Sequence, residues 1–94
     1  MSKPPTKSQR ERWGKIAELG CQVQGVHRGR TTIHHCFTGA GGRKDHDKVL
    51  ALCEMHHTGP NGINGGRISR REWEHRYGSE QSLLEQQEER LQCQ

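Results

Sequence analysis

The sequence contains few of the residues that build a hydrophobic core. Only 28% of its 94 residues are hydrophobic and only 4% are aromatic, against an apolar content of about 45–50% in an average soluble domain. A chain this short also buries a smaller share of its surface on folding than a larger one does. The composition therefore argues against a domain stabilised by an apolar core alone, and leaves either disorder or another source of folding free energy.

Long apolar runs and a signal peptide are absent as well. A membrane-spanning helix needs about 20 consecutive apolar residues, and residues 1–7 are polar and basic rather than apolar. We therefore expect no membrane partner and a cytoplasmic location. In a reducing compartment, cysteines that have histidines nearby are typical of metal sites rather than of disulfides.

Histidine and cysteine are abundant where apolar residues are scarce. The chain has seven histidines and four cysteines, and small domains without a large core often gain folding free energy from zinc. Charge is also uneven, because residues 1–48 carry ten Lys/Arg and four Asp/Glu, net +6, whereas residues 49–94 carry five and seven, net −2. The basic half of the chain fits contact with a polyanion.

The periodicity predicts one α+β domain over residues 8–94, after a flexible basic tail at residues 1–7. Ser8 and Glu11 have the spacing of a capping box at the start of an amphipathic helix, and Ser69 and Glu72 have the same spacing. Two β-branched or apolar stretches predict a hairpin with a wide glycine-rich loop. The predicted elements are a helix at residues 8–19, strands at 31–35 and 48–52, a helix that carries Trp73 and Tyr77, and a helix at 82–91 with Leu83, Leu84, Gln87 and Leu91 as its buried stripe.

Two histidine pairs each follow a predicted strand. These are His34-His35 and His56-His57, and Cys53 lies three residues before His56. A Cys and a His three residues apart can face one tetrahedral zinc site. Adjacent residues on an extended strand point to opposite faces. We therefore expect the two members of each pair to have different roles, one at a metal or in the structure and the other facing substrate.

This ordered set of motifs resembles the HNH, or ββα-metal, nuclease family. The closer resemblance is to the phage recombination-enhancement nucleases of the Ref type, which depend on the RecA filament of the host. It extends from about Arg10 to Leu91 and implies a small ββα-metal domain, a two-stranded hairpin with flanking helices stabilised by zinc. The segments that carry it are Ala17-Glu18-Leu19-Gly20-Cys21, Ile33-His34-His35, Thr38-Gly39 to Arg43 with His46, Leu52-Cys53-Glu54-Met55-His56-His57, and Tyr77-Gly78-Ser79-Glu80 leading to Leu83-Leu84.

The resemblance implies a catalytic role for each residue that matches the family pattern. His35 corresponds to the general base that activates water. His34 and His57 correspond to ligands of a catalytic divalent metal, Mg²⁺ or Mn²⁺. The last ligand of the pattern falls at Asn64, with Asn61 as the alternative.

Further positions in the pattern concern the loop and the DNA. The loop residue that orients the base corresponds to His46, with Asp45 or Asp47 as alternatives. Basic residues flank the His-His strand, and we expect them to contact phosphates. They are Arg28, Arg30, Arg43, Lys44 and Lys48.

A structural zinc site is implied beside the catalytic one, and here the sequence departs from the family pattern. Relatives tend to have a cysteine three residues after the first one, and this chain has Gln24 there, which is a poor zinc ligand. The implied ligands are Cys21, Cys53 and His56. The fourth position stays open between His27, which we favour, Cys36, a water molecule, and loss of the site.

The function implied by the resemblance is metal-dependent hydrolysis of DNA phosphodiester bonds by a phage or prophage protein in the cytoplasm of a bacterial host. DNA is the expected substrate, and the RecA filament is a candidate partner. The alternative is a zinc-stabilised DNA-binding or RecA-filament adaptor module without catalysis. That module would keep the zinc ligands but would have no need of His35.

Overall fold

The computed structural model describes residues 4–36 and 46–93, and within them it is a small α+β structure. The order of elements agrees with the sequence analysis, and the predicted fold class is confirmed. No helix in these two segments is long and apolar enough to cross a membrane. The elements are α1 (Lys7–Leu19), β1 (Thr31–His35), β2 (Val49–Cys53), α2 (Glu54–His57), α3 (Arg70–Tyr77) and α4 (Glu80–Gln92).

Helix α1 begins earlier than the sequence analysis predicted. Its N-cap is Thr6, whose hydroxyl accepts a hydrogen bond from the Gln9 backbone N–H at 3.1 Å, while the Gln9 side chain accepts one from the Thr6 N–H at 2.8 Å. This reciprocal pair is a capping box. The box predicted at Ser8 and Glu11 was therefore wrong, because Thr6 and Gln9 already satisfy the first turn. Residues 6 and 7 belong to the helix start rather than to a tail.

The two strands form an antiparallel hairpin whose faces are covered by different helices. The register pairs Ile33 with Ala51 and His34 with Leu50. One face carries Val49 and Ala51, which pack on Ile16 of α1. The other carries Leu50 and Leu52, which share a cluster with Trp73 of α3 and Leu83 of α4. The hairpin is thus the middle layer of the domain, and His34 and His35 face opposite layers.

The side chain of Gln87 and the backbone of Gln22, rather than a third strand, satisfy the outer edge of β2. The Ala51 N–H donates to Gln87 Oε1 at 2.9 Å, and Gln87 Nε2 donates to the Val49 carbonyl at 2.8 Å. The Gln22 N–H donates to the Ala51 carbonyl at 3.0 Å. Because a buried backbone group without a partner is costly, these bonds allow a strand with every residue buried to stand at the edge of a sheet.

Helix α4 confirms the predicted stripe and extends it by one turn. Leu83 and Gln87 are buried, and Leu84 and Leu91 are partly buried. The helix starts at Glu80 rather than at residue 82, and Glu80 is buried on the same face. At α3, Ser69 caps the helix as predicted, but the Glu72 carboxylate pairs with Arg76 at 3.1 Å.

We predict that Gln87→Leu lowers the free energy of unfolding by about 2–4 kcal/mol. The substitution keeps a side chain of similar size but leaves the Ala51 N–H and the Val49 carbonyl without partners, at a cost of about 1–3 kcal/mol each. Urea denaturation measures the change. The control is Gln86→Leu on the same helix, where Gln86 is exposed and an effect within about 0.5 kcal/mol is expected. Equal stability of the two variants would contradict this role of Gln87.

Candidate functional site

Two cysteines and two histidines form a compact group at one end of the hairpin. The ligand atoms of Cys21, His27, Cys53 and His56 all lie within 4.8 Å of one another. His56 Nδ1 is 3.1 Å from Cys53 Sγ and 3.6 Å from Cys21 Sγ. This group, which we call the Cys/His cluster, contains the four residues that the sequence analysis selected. Cys36, the alternative fourth ligand, belongs to a different group with His34 and Glu80.

The junction between β2 and α2 sets the spacing of the Cys/His cluster. Cys53 is both the last residue of β2 and the N-cap of α2, so that His56 follows one helical turn later on the same side. The bond from the Gln22 N–H to the Ala51 carbonyl holds the neighbouring Cys21 against the end of β2.

The loop that carries His27 is fixed to the same junction. The N–H groups of Glu54 and Met55, in the first turn of α2, donate to the carbonyls of Arg30 and Arg28 at 3.0 and 3.1 Å. These bonds satisfy N–H groups that no side chain caps. They also bring the His27 ring to 5.6 Å from the His56 ring, centroid to centroid.

The electrostatics of the Cys/His cluster favour a neutral imidazole at His56. Burial lowers the pKa of His56, and a positive charge on His27 lowers it further. Burial raises the pKa of the Cys21 thiol, while hydrogen bonds from the backbone of Cys53 and Val23 act against that rise. Zn–S bonds of about 2.3 Å and Zn–N bonds of about 2.0 Å in a tetrahedron put S and N roughly 3.5 Å apart. The donor set and its spacing therefore fit a zinc ion.

A second group, His34, His57 and Asn64, lies on the face of the hairpin that α1 does not cover. The rings of His34 and His57 are 5.0 Å apart, centroid to centroid. Asn64 Nδ2 lies 3.5 Å from His34 Nδ1, so of the two asparagines considered, Asn64 contacts this group. We call the three residues the His/Asn group.

The loop after α2 folds back tightly to bring Asn64 there. The N–H groups of Ile63 and Asn64 donate to the carbonyls of His56 and His57 at 2.9 and 2.7 Å. A Cβ atom at Gly62 would lie only 2.5 Å from the His57 carbonyl oxygen. Glycine is therefore required at this close approach of the backbone.

Hydrogen bonds select one tautomer of His57. Its Nδ1 lies 2.7 Å from Thr32 Oγ1, and the Thr32 hydroxyl donates to the Leu52 carbonyl at 2.8 Å. A hydroxyl has one proton to donate, so His57 Nδ1–H is the donor to Thr32. The lone pair of the neutral ring is then on Nε2, where it can bind a metal.

His34 is oriented by a carboxylate in a similar way. Its Nε2 lies 2.9 Å from Glu80 Oε2. Because a carboxylate accepts hydrogen bonds and does not donate them, His34 donates from Nε2–H, and the lone pair of the neutral ring is then on Nδ1, the atom nearest Asn64. Burial lowers the pKa of His57, and positive charge on His34 and His35 lowers it further. In its neutral form, each ring of the His/Asn group thus offers one nitrogen lone pair, Nδ1 of His34 and Nε2 of His57.

His35 faces the opposite layer, as strand alternation predicted. Its Nε2 lies 3.0 Å from His46 Nδ1, and its ring packs perpendicular to that of Trp13, with 5.2 Å between centroids. Trp13 Nε1–H also donates to the His46 carbonyl at 2.9 Å. His46 is therefore held by α1 and contacts His35 directly. Of the two alternatives to His46, Asp47 accepts a bond from Gln9 at 3.2 Å, and Asp45 lies outside the described residues.

The predicted phosphate-binding residues divide into two sets. Arg28, Arg30 and Lys48 are exposed, and the backbone of the first two belongs to the loop bound to α2. Arg43 and Lys44 lie outside the described residues.

Sequence reasoning missed Thr32 and Glu80, which both orient histidines. Thr32 lies two residues before His34, and period-two alternation puts the two residues on one face of β1. Glu80 precedes Leu83 and Gln87 at helical spacing, but the helix was predicted to start at residue 82. Extending the helical pattern to its Ser79 cap would have placed a carboxylate in the buried stripe.

A family model described as recombination enhancement, RecA-dependent nuclease matches residues 5–92. No curated protein and no solved structure matched the chain. The matched residues include the Cys/His cluster, the His/Asn group and all six helices and strands. By this match, the chain belongs to the family of recombination-enhancement, RecA-dependent nucleases.

Proposed function

We propose that this protein is a metal-dependent endonuclease of the HNH type that hydrolyses DNA phosphodiester bonds during recombination. The observation that carries the proposal is that His34 bonds Glu80 and His57 bonds Thr32 through one ring nitrogen each, which leaves the other nitrogen of these two neighbouring imidazoles for a metal. Asn64 lies beside them. Family membership supports a nuclease role in recombination, and the proposal adds the metal, the chemistry and the residues.

The two groups of side chains would have separate metals. His34, His57 and Asn64 would hold the catalytic divalent ion, Mg²⁺ or Mn²⁺, which when bound neutralises charge on the scissile phosphate and on the departing oxygen. The structural zinc ion would stabilise a domain with little apolar surface to bury. Its ligands would be Cys21, His27, Cys53 and His56.

His35 would act as the general base. Imidazole titrates near neutral pH, so a neutral histidine can take a proton from the attacking water. The water oxygen forms the new bond to phosphorus, the bond from phosphorus to the leaving oxygen breaks, and the proton remains on the His35 ring. His46, at 3.0 Å from His35, would hold that ring in orientation.

The positive charge of exposed residues indicates the substrate, and the family description indicates the protein partner. The exposed side chains of Arg28, Arg30 and Lys48 would contact DNA phosphates, together with Arg43 and Lys44. The family description supports RecA as the protein partner on DNA. The cellular setting that fits is the cytoplasm of a bacterium, with the protein encoded by a phage or prophage.

We predict that His35→Ala lowers the cleavage rate by about 10²–10⁴, which is the usual contribution of a general base. The assay is nicking of plasmid DNA in Mg²⁺ with RecA filament present, because the family is described as RecA-dependent, and with EDTA as the blank. The control is His75→Ala, because His75 is exposed on α3 and outside both groups. A wild-type rate in His35→Ala would contradict the assignment of the base. A wild-type protein that binds DNA but does not nick it even when RecA filament is present would favour the adaptor alternative.

We predict that zinc stabilises the fold through the Cys/His cluster. Cys53→Ser, or a strong zinc chelator on the wild type, should lower the melting temperature by at least about 10 °C, because structural zinc contributes folding free energy directly. Metal analysis should find one zinc fewer in Cys53→Ser. Cys93→Ser is the control, since Cys93 is exposed beyond α4. A melting curve that neither the variant nor the chelator moves would exclude a structural zinc here.

We predict that Arg28→Ala with Arg30→Ala weakens DNA binding and flattens its dependence on salt. The slope of log K against log salt concentration becomes shallower by about 0.9 for each phosphate of duplex DNA that the protein no longer neutralises, so a change of about 2 is expected for two arginines. Fluorescence anisotropy of labelled DNA with the zinc-loaded protein measures it, and leaving out Mg²⁺ and Mn²⁺ prevents cleavage. Arg71→Ala, at an exposed position on α3, is the control, and an equal slope change there would contradict a local role in DNA binding.

A further inference from the structure

Glu80 is a buried carboxylate at a position where helix α4 otherwise buries Leu83 and Gln87. It is 6% exposed and is the first residue of the helix after the Ser79 cap. An unpaired carboxylate in such a place costs several kcal/mol, so that buried charges are found where they are paired and hydrogen-bonded. A leucine would complete the apolar stripe at this position. The partners of Glu80 therefore indicate what the carboxylate does.

The Glu80 carboxylate contacts side chains of different elements, among them His34 and Arg70. Oε2 lies 2.9 Å from His34 Nε2, and Oε1 lies 3.5 Å from Arg70 Nη1. His34 is itself only 5% exposed. The Glu80 backbone N–H donates to the Glu74 carboxylate at 2.8 Å, which fixes the start of α4 against α3. The carboxylate is thus held in place from both sides and holds the His34 ring.

We propose that Glu80 is a positioning residue that presents His34 Nδ1 to the catalytic divalent ion, an inference that rests on the proposed function. By accepting the Nε2–H bond, Glu80 fixes both the orientation of the ring and the tautomer with its lone pair on Nδ1. The negative charge also makes the imidazole a stronger electron donor. Partners of this kind behind a metal-binding histidine typically change metal affinity or activity about 10–100-fold when they are replaced.

The same carboxylate belongs to a second candidate arrangement. The ligand atoms of His34, Cys36 and Glu80 lie within 4.8 Å of one another and all three residues are buried. A metal bound there would take the His34 Nε2 atom, which then could not donate to Glu80. The 2.9 Å contact between Nε2 and the carboxylate favours the donor role. Cys36→Ser distinguishes the positioning role from this metal site. The number of metal ions bound per protein falls only if the Cys36 thiol is a ligand.

Two measurements without DNA or turnover test the proposal. ¹⁵N-histidine NMR of the zinc-loaded protein reports which nitrogen of His34 carries the proton. Titration with Mn²⁺, followed by the EPR signal of the free ion, gives the dissociation constant. The variants are Glu80→Gln, whose amide oxygen can still accept the Nε2–H bond, and Glu80→Leu, which cannot. Glu89→Leu is the control on the same helix, since Glu89 is exposed.

The expected result is a graded loss. Wild-type His34 should be protonated on Nε2 and free of a proton on Nδ1. Glu80→Gln should keep this tautomer and raise the Mn²⁺ dissociation constant less than about tenfold, whereas Glu80→Leu should lose it and raise the constant about 10–100-fold. Glu89→Leu and Cys36→Ser should bind Mn²⁺ as the wild type does, with an unchanged number of metals. If Glu80→Leu does not fold, the proposal is still tested by the tautomer of His34 in the wild type and by the Mn²⁺ dissociation constant of Glu80→Gln.

Other results would overturn the proposal. A proton on Nδ1 of wild-type His34, or unchanged Mn²⁺ binding in both Glu80 variants, excludes a positioning role. If Cys36→Ser binds one metal ion fewer than the wild type, the positioning role is wrong, and His34, Cys36 and Glu80 form a metal site instead. Nicking of plasmid by the wild type is scored separately. A protein that binds Mn²⁺ with the graded Glu80 effect but does not nick DNA in the presence of RecA filament retains the positioning role and contradicts only the nuclease.

Discussion

The register of the β1–β2 hairpin determines where every candidate functional side chain lies. Pairing of His34 with Leu50 and of His35 with Val49 places the two histidines in different layers, since alternate residues of a strand point to opposite faces. A slip of one residue would exchange them. The same register sets the end of β2 at Cys53, where α2 begins at once. His56 and His57 then lie within one turn, with His56 in the Cys/His cluster and His57 beside His34.

Polar residues replace much of the missing apolar core. Several buried side chains are polar or charged, and among the residues that the structure describes no buried side-chain nitrogen or oxygen lacks a hydrogen-bond partner. A buried polar group stabilises a fold only when it is bonded in this way. Each of these side chains therefore joins two particular elements through its hydrogen bonds. An apolar core would have tolerated replacement of one side chain by another more readily. The residues are Gln22, His34, His56, Glu80 and Gln87.

Local patterns in the sequence predicted the order of the elements and the pairing of Cys53 with His56, and the family resemblance added Cys21 and His27 to the Cys/His cluster. The order of helices and strands, β1 from residue 31 to residue 35, and the alternation of His34 and His35 all follow from spacing of two, three or four residues. Interactions between distant segments could not be found in this way. The bonds of Gln87 to β2 and of Glu80 to His34 span 36 to 46 residues, and a glutamine or glutamate on a helix is usually solvent-facing. The helix start at Thr6 was missed because two overlapping box patterns compete there.

The bonds along the outer edge of β2 also restrict how this protein can meet another one. An edge strand normally offers a row of N–H and C=O groups on which a strand of a second protein can pair, and sheets can grow or aggregate through it. Here the Ala51 N–H, the Ala51 carbonyl and the Val49 carbonyl are already bonded to Gln87 and Gln22. A filament or a second copy that associates on this side of the molecule must therefore contact side chains and helix surfaces, because no further strand can pair with this edge of β2.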